Sequence, residues 1–186
     1  MRLSDWIEEM RVWTEVDDFD GLEQKFFQNC CYLAGDEMAE WIRLMDLQDY
    51  RRQLDRAYLQ ALRHVRDSGA RALYFEYEPL ADWRGTFYLC RDYQPESAGD
   101  DDWTCDWACR LDAAPLPAFA EVLGIDGGKM DQDPPGRGKM AYLIARTVAS
   151  LGRLMTTHPV GDLAICAAYQ GQDPVMRLHD PAGLPT

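Results

Sequence analysis

Apolar residues fall at helical spacing through the first third of the chain. Trp6, Ile7, Met10 and Trp13 mark one face of a segment over 4–16, with Ser4 as its expected N-cap. "DDFDG" breaks it, and Asp20 followed by Glu23 resembles a capping box that opens a helix through Phe26, Phe27, Cys30 and Leu33. Gly35 is the expected stop. Adjacent Cys30 and Cys31 then take one core and one surface position. Met38, Trp41, Ile42 and Met45 predict a helix over 36–46. Tyr50, Leu54, Ala57, Tyr58, Ala61, Leu62 and Val65 predict another over about 48–67, ended by Gly69.

After Gly69 the period shortens to two, the signature of strands. "RALYFEYE" (71–78) and "GTFYLCRDY" (85–93) predict an antiparallel hairpin joined by "PLADWR". In "DDDWTCDWACRLD" the alternation of Trp103, Cys105, Trp107, Cys109 and Leu111 predicts a third strand with this side toward the core. "DLAICAAY" and "PVMRLH" supply a fourth and a fifth. "AFAEVLG" predicts a turn or two of helix. "KMAYLIARTVASLGRLMTT" then predicts a long amphipathic helix covering one sheet face, with Arg146, Ser150 and Arg153 pointing away. The expectation is an α+β fold in one domain over 1–186: a helical portion (1–69), a mainly antiparallel sheet covered by the late helix (70–180), and a tail (181–186).

Charge narrows the function. Thirty-two acidic against 19 basic side chains give a net charge of −13, which disfavours nucleic acid and anionic membrane as partners. The acid is clustered. Asp5 to Glu23 holds eight carboxylates and one base, Arg11, while Glu96 to Asp106 holds five and none. Basic residues gather at Arg51, Arg52, Arg56, Arg63, Arg66 and Arg71. No signal peptide is read at the start, and no apolar run nears the roughly 20 residues of a membrane helix. A cytoplasmic protein with reduced thiols is expected.

Motifs that carry chemistry are few. The loop "GIDGGKMDQDPPGRGKM" offers Lys129 and Lys139, but Met130 and Met140 stand where a Walker loop needs its hydroxyl. "VASLG" around Ser150 lacks the first glycine of a nucleophile elbow and lies within a helix. Cys90, Cys105, Cys109 and Cys166 sit in apolar patterns, with His64, His158 and His179 elsewhere. On a strand, Cys105 and Cys109 stand about 13 Å apart, too far for one zinc. Asp100 to Asp102, or Asp131 with Asp133, could attract a hard cation, but no EF-hand pattern is present. No catalytic residue, metal or cofactor is expected.

"ALYFEYEP", "DDDWTCDW", "AYLIARTVASLGRL" and "DPVMRLHD", in that order, resemble bacterial immunity-type proteins encoded beside polymorphic or contact-delivered toxins. The resemblance spans about residues 70–180, and the helical first 69 residues have no counterpart in it. It implies binding without chemistry: an acidic cytoplasmic protein occludes the basic active-site groove of a cognate toxin. The expected partner-binding residues are Asp100, Asp101, Asp102 and Asp106 with Tyr93 and an exposed Trp83, then Asp17, Asp18 and Asp20, since interface anchors are aromatic or charged. Trp103 is assigned to the core. The alternatives are a small hydrolase using carboxylates or a Cys/His pair, and a regulatory or adaptor protein unconnected with toxins.

Overall fold

The computed structural model describes residues 2–125 and 132–181. Four helices come first: α1 (Leu3–Thr14), α2 (Phe19–Ala34), α3 (Asp36–Leu44) and α4 (Gln48–Ser68). Strands β1 (Ala72–Glu78) and β2 (Arg84–Cys90) follow, then two 3-10 turns (Glu96–Ala98 and Asp102–Cys105) and β3 (Trp107–Asp112). α5 (Pro117–Gly124), α6 (Pro134–Thr157), β4 (Ala164–Tyr169) and β5 (Met176–His179) complete the chain. The α+β class is as the periodicity predicts. The phosphate-loop candidate around Lys129 and Met130, Asp131 of the cation pair and most of the expected tail lie outside the described residues.

Local signals account for most boundaries. Gly69 ends α4 in the left-handed conformation (φ 66°), and Gly35 separates α2 from α3 at φ 91°, both open to glycine at no steric cost. Two caps differ from expectation. α1 starts two residues earlier, with the Asp5 carboxylate accepting from the Arg2 amide at 2.7 Å in place of a Ser4 cap. α2 is capped by Asp18, whose side chain accepts from the Gly21 amide at 2.8 Å, two residues ahead of Asp20.

The sheet order is β3-β2-β1-β4-β5. Three pairings are antiparallel, and the central β1–β4 pairing is parallel, so the sheet is mixed. A parallel neighbour requires a long crossover, here the whole β2-to-α6 excursion. One sheet face, with Leu73, Phe75, Phe87, Leu89 and Ile165, joins the buried residues of all six helices in a single core. Among the described residues, the other face is covered by the segment between β2 and β3, through Tyr93 and Trp103, and by Val175 ahead of β5. Cys30 is buried and Cys31 partly exposed, as the helix phase predicts.

α6 departs from expectation, because it is buried on nearly every side from Gly136 to Gly152. It does not simply cap the sheet, since α2 packs along it from the other direction. Arg146 and Ser150 therefore point inward. The Arg146 guanidinium donates to the carbonyls of Ile42 and Met45 at the open end of α3, and the Ser150 hydroxyl donates to the Arg146 carbonyl at 2.8 Å. Only Arg153 behaves as an outward residue, half-exposed and paired with Asp20 and Glu23.

Close approach of α2 depends on glycine. A Cβ at Gly152 would stand 2.1 Å from Phe19 Cε1, and one at Gly138 would stand 2.9 Å from Leu33 Cβ. Gly152→Ala is expected to lower stability by about 1–3 kcal/mol in urea unfolding, because overpacking outweighs the helix-propensity gain of about 1 kcal/mol. Gly124→Ala, whose Cβ meets nothing within 4 Å, should leave stability unchanged or slightly raised.

Candidate functional site

The two acidic runs, about eighty residues apart in sequence, meet at the β5 edge of the sheet. There a cleft of about 430 Å³ is lined by Glu15 and Asp17 from the α1–α2 turn, Glu96 from the first 3-10 turn, and Arg177, His179 and Asp180 from β5 and its end. Arg11 ties the runs together: its guanidinium reaches Glu96 at 2.5 Å while also pairing with Glu8 and Glu15 on its own helix. Burial opposes its charge, but the surrounding carboxylates prevail and hold its pKa above the usual value. Asp17 sits at φ 55°, a conformation that Asp tolerates better than most residues, and also borders a second cleft of about 330 Å³ with Asp18, Asp20 and Arg153.

The predicted residues divide sharply. Asp100, Asp102 and Asp106 are exposed. Asp100 uses one oxygen to accept from the Asp102 amide at 2.8 Å, and Asp106 pairs with Arg91 at 2.6 Å. Asp101 turns inward instead. Its carboxylate accepts from the buried Arg177 guanidinium at 2.7 Å and from the Val175 amide at 2.9 Å, fastening the loop to β5. Arg177 also donates to the Gln94 and Val175 carbonyls, and although burial works against its charge, Asp101 raises its pKa.

Tyr93 is half-buried, edge-on to Trp103 at 5.2 Å, and burial above all pushes its phenol pKa upward. Trp103 is in the core of the outer face, as expected. Asp18 is spent on capping α2, and Asp20 reaches Arg153 at 2.6 Å.

Trp83 contradicts expectation outright. It has no exposed surface, stacks on Tyr77, meets Phe119 edge-on, and lies on the helix side of the sheet. Left-handed backbone at Asp82 and Trp83 folds the hairpin loop back into the core. The inward assignment of Cys105 and Trp107 also fails. Residues 103–105 are a 3-10 turn and not strand, Cys105 is exposed, and Trp107 is 40% exposed. A bulge between Leu89 and Cys90 pairs Cys109 with Leu89 but Trp107 with Cys90, so the extra residue turns Trp107 to the outer face. Cys109 and Leu111 keep their places against the core.

Glu15, Glu96 and Asp180 were not singled out from sequence. The first two belong to the acidic runs, but only tertiary structure joins those runs. The basic segment pairs in part internally: Arg51 reaches Glu23 at 3.7 Å and Arg52 pairs with Asp49. Arg56 and Arg63 line a shallow groove on the open side of α4.

The thiols are poorly placed for nucleophilic work. Burial pushes Cys30 and Cys90 up to about 12 and Cys166 higher still, the wrong direction for a thiolate. Iodoacetamide at neutral pH is expected to label Cys105 first and to spare Cys30, Cys90 and Cys166 until denaturant is added, as read by peptide mass spectrometry. Among the described residues, no three His, Cys, Asp or Glu side chains gather in a way that could hold a metal ion, and no helix is long and apolar enough to cross a membrane. Compared with protein families, curated proteins and solved structures, the chain matches none.

Proposed function

We propose that this chain is an immunity-type protein that binds a basic cognate toxin in the cytoplasm of the producing cell and occludes its active site or substrate groove. The observation that carries the reading is the convergence of two remote acidic runs at one cleft, with Asp17, Asp100 and Asp102 left facing solvent in a molecule of net charge −13. Such a surface attracts a basic partner over distance and raises its association rate steeply at low salt. The likeness of residues 70–180 to immunity-type patterning points the same way.

The test is capture from lysate of the source organism at low and at 0.5 M salt, followed by co-expression of whatever is captured. A single stoichiometric basic protein whose toxicity the chain suppresses supports the reading. No such protein at either salt overturns it.

With that partner in hand, the triple variant Asp17→Asn, Asp100→Asn, Asp102→Asn should slow association by on the order of tenfold at low salt while changing dissociation little. Asparagine tolerates the left-handed backbone at position 17 and keeps an acceptor oxygen at position 100. Surface plasmon resonance at two ionic strengths reads both rates.

A further inference from the structure

The outer face of the sheet carries a feature that the acidic cleft does not use. Tyr74 on β1, Tyr88 on β2 and Trp107 on β3 form a continuous aromatic stripe, with ring centroids 5.9 Å apart for the first pair and 5.7 Å for the second. Tyr74 is buried at the inner end, in one cluster with Tyr93 and Trp103, Tyr88 is half-exposed, and Trp107 is open at the outer end. Among the described residues, no α-helix packs on this face.

Beside the stripe lies Glu76, two residues along β1 from Tyr74 and paired in register with Thr86. The Tyr74 hydroxyl donates to Glu76 Oε1 at 3.2 Å, and the Tyr88 phenol also stabilises that carboxylate. Among the described residues, no arginine or lysine pairs with Glu76. Partial burial is the main cause that raises its pKa, and the neighbouring charge that acts on it is another carboxylate, Glu78. Besides Arg177, which Asp101 holds on β5, two cations sit on this face. Arg84 lies opposite Glu78 and Arg110 opposite Tyr88, with Asp112 beyond, yet neither arginine stacks on a ring of the stripe. A half-buried carboxylate held by two phenols and paired with no cation among the described residues, at the side of an aromatic row that ends in an exposed indole, is an incomplete ion pair with an aromatic wall.

We infer that the Tyr74–Tyr88–Trp107 stripe and Glu76 form a receptor for one arginine side chain of a protein partner, the guanidinium lying on the rings while its N–H groups donate to the Glu76 carboxylate. Arginine fits better than lysine, because its planar, weakly hydrated fork can stack and form directed bonds at once. The inference deepens the proposed function and rests on it for the partner's identity, whereas the receptor itself is testable on the isolated chain.

The 15N-labelled full chain would be titrated with a blocked tripeptide carrying a central arginine, with the lysine and citrulline analogues as comparisons. Saturable shifts are expected at the Trp107 indole N–H and at the Thr86 and Ala108 amides, weaker with lysine and absent with the neutral citrulline. Glu76→Gln and Trp107→Ala should each weaken arginine-peptide binding by on the order of tenfold. Trp107→Leu, which keeps an apolar side chain but no ring, should weaken it similarly, with thermal unfolding confirming that each variant is folded. The triple variant at positions 17, 100 and 102 should bind the peptide within about twofold of the original, since general acidity is not what the receptor reads.

Absence of shifts at Trp107, equal binding of lysine, indifference to Glu76→Gln, or loss of binding in the acidic triple variant would each overturn the receptor. If the peptide binds as expected while no toxin is captured, the receptor stands and the immunity reading falls. If a toxin is captured but Glu76→Gln leaves peptide binding unchanged, the reverse holds.

Discussion

Trp83→Ala is expected to destabilise the protein by about 3–5 kcal/mol, the range for emptying an aromatic site in a close-packed core. The indole has no exposed surface, and its ring centroid stands 5.3 Å from those of both Tyr77 and Phe119. Its N–H donates at 2.9 Å to the Thr147 hydroxyl, which in turn donates to the Leu143 carbonyl within α6. One side chain thus connects the β1–β2 loop, α5 and the central helix.

The backbone beneath it is at φ 50°, next to Asp82 at φ 56°, costly conformations for a bulky residue that persist only where the surroundings enforce them. Removing the indole removes that enforcement, so the hairpin loop should loosen as well. Trp83→Phe keeps most of the volume and loses the hydrogen bond, for an expected cost of about 1–3 kcal/mol. Urea unfolding with an unchanged m-value checks both, and a loss below about 1 kcal/mol for the alanine variant would contradict the core assignment.

What could be read from the sequence follows a physical division. α4, ended by Gly69, was legible because a single face of it is buried and the pattern records it, and the β1–β2 hairpin was legible from its aromatic, β-rich segments although β1 is buried on both faces over its first four residues. The failures arise where burial is decided from elsewhere in the chain. Arg146 and Ser150 read as a solvent face, but the open carbonyl end of α3 and the α6 backbone accept from them. Trp107 read as core, but the bulge on β3, with Ala108 as the extra residue, shifts the phase by one residue. Trp83 read as exposed because it lies in a loop, and no local pattern marks a left-handed pair that reverses it. For the candidate site, the acidic runs were plain, while their meeting through Arg11 and Glu96 is a tertiary fact.

The aspartate triplet gives the sharpest instance, and the second large effect. Asp101→Ala should cost about 3 kcal/mol, because it strands a charged guanidinium at a position where Arg177 is 6% exposed, and a buried pair broken on one side leaves an uncompensated charge. It also frees the Val175 amide, releasing the loop from β5. Asp102→Ala, one residue on and exposed, should change stability by less than about 0.5 kcal/mol. Adding Arg177→Met to Asp101→Ala should restore part of the loss, since an apolar side chain of similar length needs no counter-ion. Chemical denaturation of the single and double variants measures the coupling directly. Equal effects at 101 and 102 would refute the clamp. The contrast also governs how binding is read: any loss of partner affinity in Asp101→Ala reports a displaced loop, so only the outward charges at 17, 100 and 102 can report electrostatic recognition.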